Sequence, residues 1–159
     1  MSPDSQLMRF PQTADTVSLA ETLARDALAI ASYAALGVLL LIIGFYVIDL
    51  ATPGKLSRLI KTDRNPNATL LASSGLAAVG LIVAASIWSS GGALHEGLLA
   101  TLVYGLVGIA VQTVAMVVFD LAAGISVRKL VSEPELQPGT RLLAVTHLAL
   151  GLITAVAVI

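Results

Sequence analysis

An all-α integral membrane bundle of four helices, built as two tandem parallel two-helix repeats, is the fold this sequence predicts. Three observations predict it. The first is composition. The chain has 159 residues, 57% of them hydrophobic and 12% charged, with a mean hydropathy of +0.91. Soluble domains carry roughly 25% charged residues, and a small domain in water still exposes much of its surface, so this much apolar area needs lipid as solvent. The second is run length. Apolar stretches occupy residues 27–50, 68–88, 98–122 and 142–159, against about 20 residues needed to cross the hydrocarbon as a helix; the fourth, at 18, is short. The third is self-similarity. Residues 33–88 and 104–159 share a pattern 71 positions apart without a gap. Tyr33 falls on Tyr104, Gly37 on Gly108, Asp49-Leu50-Ala51 on Asp120-Leu121-Ala122, and Gly80-Leu81-Ile82 on Gly151-Leu152-Ile153. The Tyr, Gly and Asp matches carry the weight, because Leu and Ala coincide by chance in an apolar chain. Strands are excluded by the absence of period-2 alternation, and lipid demands internally bonded backbone, which leaves helices.

Residues 1–26 form a polar tail and an outer-surface helix. The tail, residues 1–15 with Pro3 and Pro11, is expected to lack fixed structure. Ser18-Leu19-Ala20-Glu21 has the spacing of a capping box, in which hydroxyl and carboxylate satisfy free N–H groups reciprocally. Leu19, Leu23, Ala27 and Ile30 make one apolar stripe, so the helix bends or runs straight into span one. The first repeat is 27–88. Its first span ends at Asp49-Leu50-Ala51-Thr52-Pro53-Gly54, where Pro disfavours helix before it and Gly permits a left-handed turn. In Lys55-Leu56-Ser57-Arg58-Leu59-Ile60-Lys61, Leu56, Leu59 and Ile60 share a face, giving a short interfacial helix with its apolar side in lipid and its basic side near headgroups. Asp63-Arg64-Asn65-Pro66-Asn67 supplies a turn and a cap for span two. The second repeat is 98–159, with Val127, Leu130 and Val131 beside Arg128 and Lys129, and Pro138-Gly139-Thr140 supplying the turn and cap for span four. Both repeats insert with one orientation, so the pseudo-twofold axis lies along the membrane normal. Gly80-x-x-x-Ala84 and Gly151-x-x-x-Ala155 are equivalent small-residue pairs that let helices approach closely.

Orientation follows from Lys and Arg near the spans. Of nine such residues, seven lie in the two repeat loops: Lys55, Arg58, Lys61, Arg64, Arg128, Lys129 and Arg141. The connection 89–97 has none. These loops are read as cytoplasmic and both termini as extracytoplasmic, in the inner (plasma) membrane. The amino-terminus lacks a cleavable signal pattern, so span one serves as its own signal.

The strings Asp49-Leu50-Ala51-Thr52-Pro53-Gly54-Lys55-Leu56 with Asp63-Arg64-Asn65-Pro66-Asn67-Ala68, and Tyr104-Gly105-Leu106-Val107-Gly108-Ile109-Ala110 running to Asp120-Leu121, resemble an uncharacterised bacterial membrane family, domain of unknown function 350. Within it they resemble the actinobacterial branch, uncharacterised protein family 0719. The resemblance covers residues 30–159. It implies an integral membrane protein with paired helices, one or two copies per chain, and gene neighbours related to polyamine synthesis or membrane stress. The second copy departs from the pattern: Ala123-Gly124-Ile125 replaces Thr52-Pro53-Gly54, and the Asn-x-Asn element is missing. If the family turn (Thr52, Pro53, Gly54, Asp63, Arg64, Asn65, Asn67) binds something, only the first copy does so.

Four polar residues are candidates for function. Asp49 and Asp120 end spans one and three, where the helix dipole disfavours a carboxylate by roughly 0.3–1 kcal/mol. Either each is an anchor compensated by Lys55, Arg58, Arg128, Lys129 or an adjacent helix amino-terminus, or the two form a cation-attracting pair at a pathway mouth. Gln112 and His147 lie deeper, about 12 and 9 Å from Asp120 and Arg141 along their helices. Either they make a structural interhelical bond, or His147 carries a proton. Their first-copy counterparts, Leu41 and Leu76, are apolar. Asp120 and Gln112, about 80° apart on the helical wheel, share a face only loosely. Ser73, Ser74 and Thr146 read as helix-packing groups.

An enzyme is not expected, because no nucleophile elbow, phosphate loop or metal-ligand cluster is written here. Cysteine is absent, which removes disulfides and thiolate chemistry. No cofactor, metal or nucleic-acid partner is expected. The expected partners are the bilayer, further copies in a homo-oligomer and a cytoplasmic protein. The leading expectation is an accessory or scaffolding membrane component, with Lys55, Arg58, Lys61, Arg128 and Lys129 facing anionic lipid or that partner. The alternative is a small oligomeric ion or polyamine channel around Asp49, Asp120 and Gln112.

Overall fold

The computed structural model describes residues 18–52 and 54–159. The expectation for residues 1–15 and the family-turn residue Pro53 lie outside the described residues. Among the described residues six helices follow in order: α1 Leu19–Ala51, α2 Leu56–Lys61, α3 Pro66–Ser89, α4 Leu94–Ala123, α5 Val127–Ser132 and α6 Pro138–Val158. Four of them, α1, α3, α4 and α6, are long and apolar enough to cross a membrane. The short α5 occupies the residues of α2 shifted by the same 71 positions that relate the sequence halves.

The helices exceed the apolar runs at their starts. The outer-surface segment and span one are a single helix, α1, of 33 residues. Only half of the expected capping box forms at its start. Glu21 N donates to Ser18 Oγ at 3.2 Å, while the Glu21 carboxylate pairs with Arg25 at 2.6 Å. The fourth span gains a turn at its beginning: α6 has 21 residues because Pro138 sits in its first turn. Proline fits there because its missing N–H is one that a helix start leaves unbonded anyway. The expected cap from Pro138-Gly139-Thr140 is absent, since no side chain of the capping residue bonds the start of α6.

Helix α3 is the hub. It packs on α6, α4 and α1, and α4 also packs on α6 and α1. Within its most apolar stretch 56% of α3 is buried, against 11% for α1, so α1 meets lipid along most of its surface. The closest seam is α3 on α6. A methyl group on Gly151 would collide with the side chain and backbone of Ala78, so only glycine permits this approach. The sequence paired Gly80-x-x-x-Ala84 with Gly151-x-x-x-Ala155, but only the second pair packs. Gly151 and Ala155 are buried, whereas Gly80 has no neighbour within 4 Å of an added methyl and Ala84 is exposed. Gly80 instead borders an open apolar groove with Phe45 and Leu76, between α1 and α3.

At the loop end a correction is needed to the interfacial reading of α2 and α5. Their apolar faces do not enter lipid. Leu56 is 1% exposed and Val131 6%, and both join Ile48, Leu71 and Leu143 in one cluster. The two short helices thus close the bundle like a plate, because burying Leu56 among protein side chains removes it from both water and headgroups. Ser74 and Thr146 donate to the carbonyls of Leu71 and Leu142 in their own helices and Ser73 is exposed, so these hydroxyls make no interhelical bonds.

Candidate functional site

The family turn is a clamp between the two repeats. Asn65 Oδ1 accepts from Ala68 N at 2.9 Å and caps α3. Its amide nitrogen donates to the carbonyls of Val131 and Glu133, at 2.9 and 3.0 Å. Asn67, fully buried, donates to the carbonyls of Glu133 and Glu135. Its Oδ1 accepts from Gln137 N at 2.9 Å and from Thr140 Oγ1 at 2.6 Å. The two asparagines therefore satisfy the backbone of the second repeat's loop, residues 131–137, which would otherwise hold unpaired carbonyls away from water. The second copy, which has no Asn-x-Asn, supplies the loop that is held. Arg64 reaches this arrangement with a positive φ of 49°, uncommon for a residue with a side chain. Thr52 Oγ1 bonds Ile48 O at 2.9 Å, and Gly54 takes φ 100°. Asp63 lies 4.0 Å from Arg58.

The symmetric carboxylates part ways. Asp49 Oδ1 accepts from Leu56 N at 2.6 Å. It compensates the α1 carboxyl-terminal dipole by capping the amino-terminus of α2, an interaction of about 1 kcal/mol. Asp120 makes no such bond. Chain exit from α4 differs: Gly124 adopts φ 64° and Ile125 N bonds Asp120 O at 3.2 Å, a glycine-terminated helix end. No side chain of its capping residue bonds the start of α5. Asp120 Oδ1 is instead buried without a hydrogen-bond partner.

Asp120 borders a partly enclosed cavity of about 70 Å³. Val47, Ile48 and Ala51 of α1, Thr52, Leu71 of α3, Thr113, Met116, Val117 and Asp120 of α4, Val127 of α5 and His147 of α6 line it. His147 is 4% exposed, and neither ring nitrogen has a hydrogen-bond partner. Gln112 and His147 do meet between α4 and α6, but Gln112 Nε2 donates to the His147 main-chain carbonyl at 2.9 Å. The imidazole is left out, and Gln112 Oε1 is also unpartnered. An unsatisfied buried polar group costs about 1–3 kcal/mol, so a cluster of them around a cavity is a feature to explain. That Asp120 lines one cavity with His147, rather than pairing with Asp49, was missed from sequence. Its only signal was that both second-copy polar residues, Gln112 and His147, lack polar counterparts in the first copy.

The basic residues Lys55, Arg58, Lys61, Arg128 and Lys129 are all exposed on α2, α5 and their approaches. Among the described residues no group of three or more His, Asp or Glu comes together.

A model of a family described as Domain of Unknown Function (DUF350) matches residues 19–158, from the first turn of α1 to the last of α6. The chain is similar to a UPF0719 transmembrane protein of Mycolicibacterium paratuberculosis, 39% identical over 134 residues, 84% of this chain and 89% of the relative. It is also similar to UPF0719 transmembrane proteins of Mycobacterium bovis and Mycobacterium tuberculosis. Each is 36% identical over 142 residues, 89% of this chain and 93% of the relative. No solved structure matches.

Proposed function

The chain belongs to the DUF350 family of uncharacterised membrane proteins, and on that premise we propose that it is an accessory or scaffolding component that recruits an anionic partner to its basic end. One observation carries the reading. The plate made by α2 and α5 buries its apolar side in the bundle and turns five cations outward, of which only Arg58 has an acidic neighbour within 4.0 Å among the described residues. Clustered Lys and Arg at a membrane surface attract anionic groups by about 1 kcal/mol per residue. The rigidity of the Asn65 and Asn67 clamp supports this reading, because it holds the two basic helices in fixed register. A non-enzymatic role is part of the proposal.

In this reading the plate faces the cytoplasm, the chain lies in the bacterial inner membrane, and both termini face outward, as the Lys and Arg asymmetry favours. The lipid-facing α1 offers a surface for homo-oligomer contacts. The channel alternative needs Asp49 and Asp120 as a pair, and Asp49 is engaged in capping α2.

A photocrosslinker placed at Lys61 in native membranes tests the proposal. A reproducible protein adduct that disappears when Arg58, Arg128 and Lys129 are changed to Gln is the expected result. Adducts to lipid alone, or cation flux in reconstituted vesicles that Asp120→Asn abolishes, would overturn it.

A further inference from the structure

We infer that the cavity between α1, α4 and α6 is a proton-binding site, in which the His147 imidazole takes up one proton and the Asp120 carboxylate, reached through water, balances its charge. The inference is separate from the recruiting role of the basic plate. It rests on the donor and acceptor inventory of the lining. Thr52 Oγ1 and Thr113 Oγ1 already donate to the carbonyls of Ile48 and Ile109, at 2.9 and 2.7 Å. Their hydroxyls therefore offer only lone pairs to the cavity. Asp120 Oδ1 is a buried acceptor without a partner. Neutral His147 has one N–H to give and one nitrogen to accept with, both unpartnered and buried. Acceptors outnumber donors, so the site gains from one more proton.

The cavity is large enough for water, and its polar groups supply the partners that a buried water needs. Among the described residues, Asp120 and His147 are the only titratable ones in the lining, since α1, α3 and α5 contribute none. The cations of α5, Arg128 and Lys129, are exposed. Lacking a third His, Asp or Glu, the cavity does not resemble a metal centre. The step balances simply: hydronium gives its proton to the free imidazole nitrogen, leaving water, and imidazolium faces carboxylate. The position suits uptake from one side, because Asp120 lies within the last turn of α4, at the loop end.

The test is ¹⁵N NMR of the two histidines in lipid nanodiscs as pH is varied. His95, exposed near the start of α4 at the opposite end, is the internal control. We expect His147 to titrate, and Asp120→Asn to move its midpoint toward lower pH by about one unit or more, as expected when an opposite charge close by is removed. The substitution leaves the His95 signals unchanged. Magnetisation transfer from water to the His147 ring in the unaltered protein gives a second measure that needs no variant to fold. A His147 that never titrates, a midpoint indifferent to Asp120→Asn, a ring without water contact, or a response to sodium at constant pH in place of titration would each overturn the inference.

Discussion

At the end of α1 the Asp49 carboxylate binds the first amide of α2; 71 positions later, at the end of α4, the Asp120 carboxylate borders a cavity with His147. The residue and its position in the repeat are the same. What differs is the connection. Thr52 leaves α1 in an extended conformation, whereas Gly124 turns left-handed and pulls the chain back onto α4. Two or three loop residues thus decide whether an acid is a cap or a cavity wall. The comparison extends along the loops: the first donates Asn65 and Asn67, and the second receives them. Of the two hairpins, one is a holder and the other is held.

The contrast is most exposed to attack at the clamp. Asn67→Ala removes four hydrogen bonds and strands buried groups on Gln137 and Thr140, and should destabilise by about 3 kcal/mol or more. Unfolding in detergent reports the loss, and proteolysis within 133–137 should increase with it. A stability equal to that of the unaltered chain would mean that the loops hold themselves. Next comes the helix seam. Gly151→Leu should cost about 2 kcal/mol through overpacking against Ala78, while Gly80→Leu, at the equivalent position, should be nearly silent in the same assay. Equal effects would restore the symmetric packing that the sequence suggested. Asp49→Ala should cost about 1 kcal/mol as a lost helix cap, and Asp120→Asn should cost less, because it removes a buried charge with no hydrogen-bond partner on one oxygen. Smallest is Arg58→Ala, below about 0.5 kcal/mol, since its pairing with Asp63 is long and exposed.

The spans were legible because run length and composition respond to one physical quantity, the thickness of the hydrocarbon. The beginning of α6 was not, because Arg141 interrupts the apolar run, although a charged residue sits comfortably in the first turn at an aqueous edge. That the Asp63–Asn67 segment caps span two was readable from its turn chemistry, and Asn65 is the residue that does so. Its amide bonds to Val131 and Glu133 were not, since residues 66 and 68 positions apart meet only after both hairpins fold. The absent second Asn-x-Asn looked like a lost site and is a partner's loop. The burial of Leu56 and Val131 was hidden for a related reason: a six-residue amphipathic turn reads alike whether its apolar face meets lipid or the floor of a bundle. Family membership was readable from the Asp49–Ala68 and Tyr104–Leu121 strings, and the matched region begins earlier, at residue 19, the first residue of α1.

The divergence of the two acids is tested most directly by amide hydrogen exchange at Leu56 and Val127, compared among the unaltered chain, Asp49→Ala and Asp120→Ala. Leu56 should be protected, lose that protection in Asp49→Ala and keep it in Asp120→Ala, with Val127 indifferent to both. If Asp120→Ala speeds exchange at Val127 as Asp49→Ala does at Leu56, both acids are caps, and the cavity between α4 and α6 loses its carboxylate.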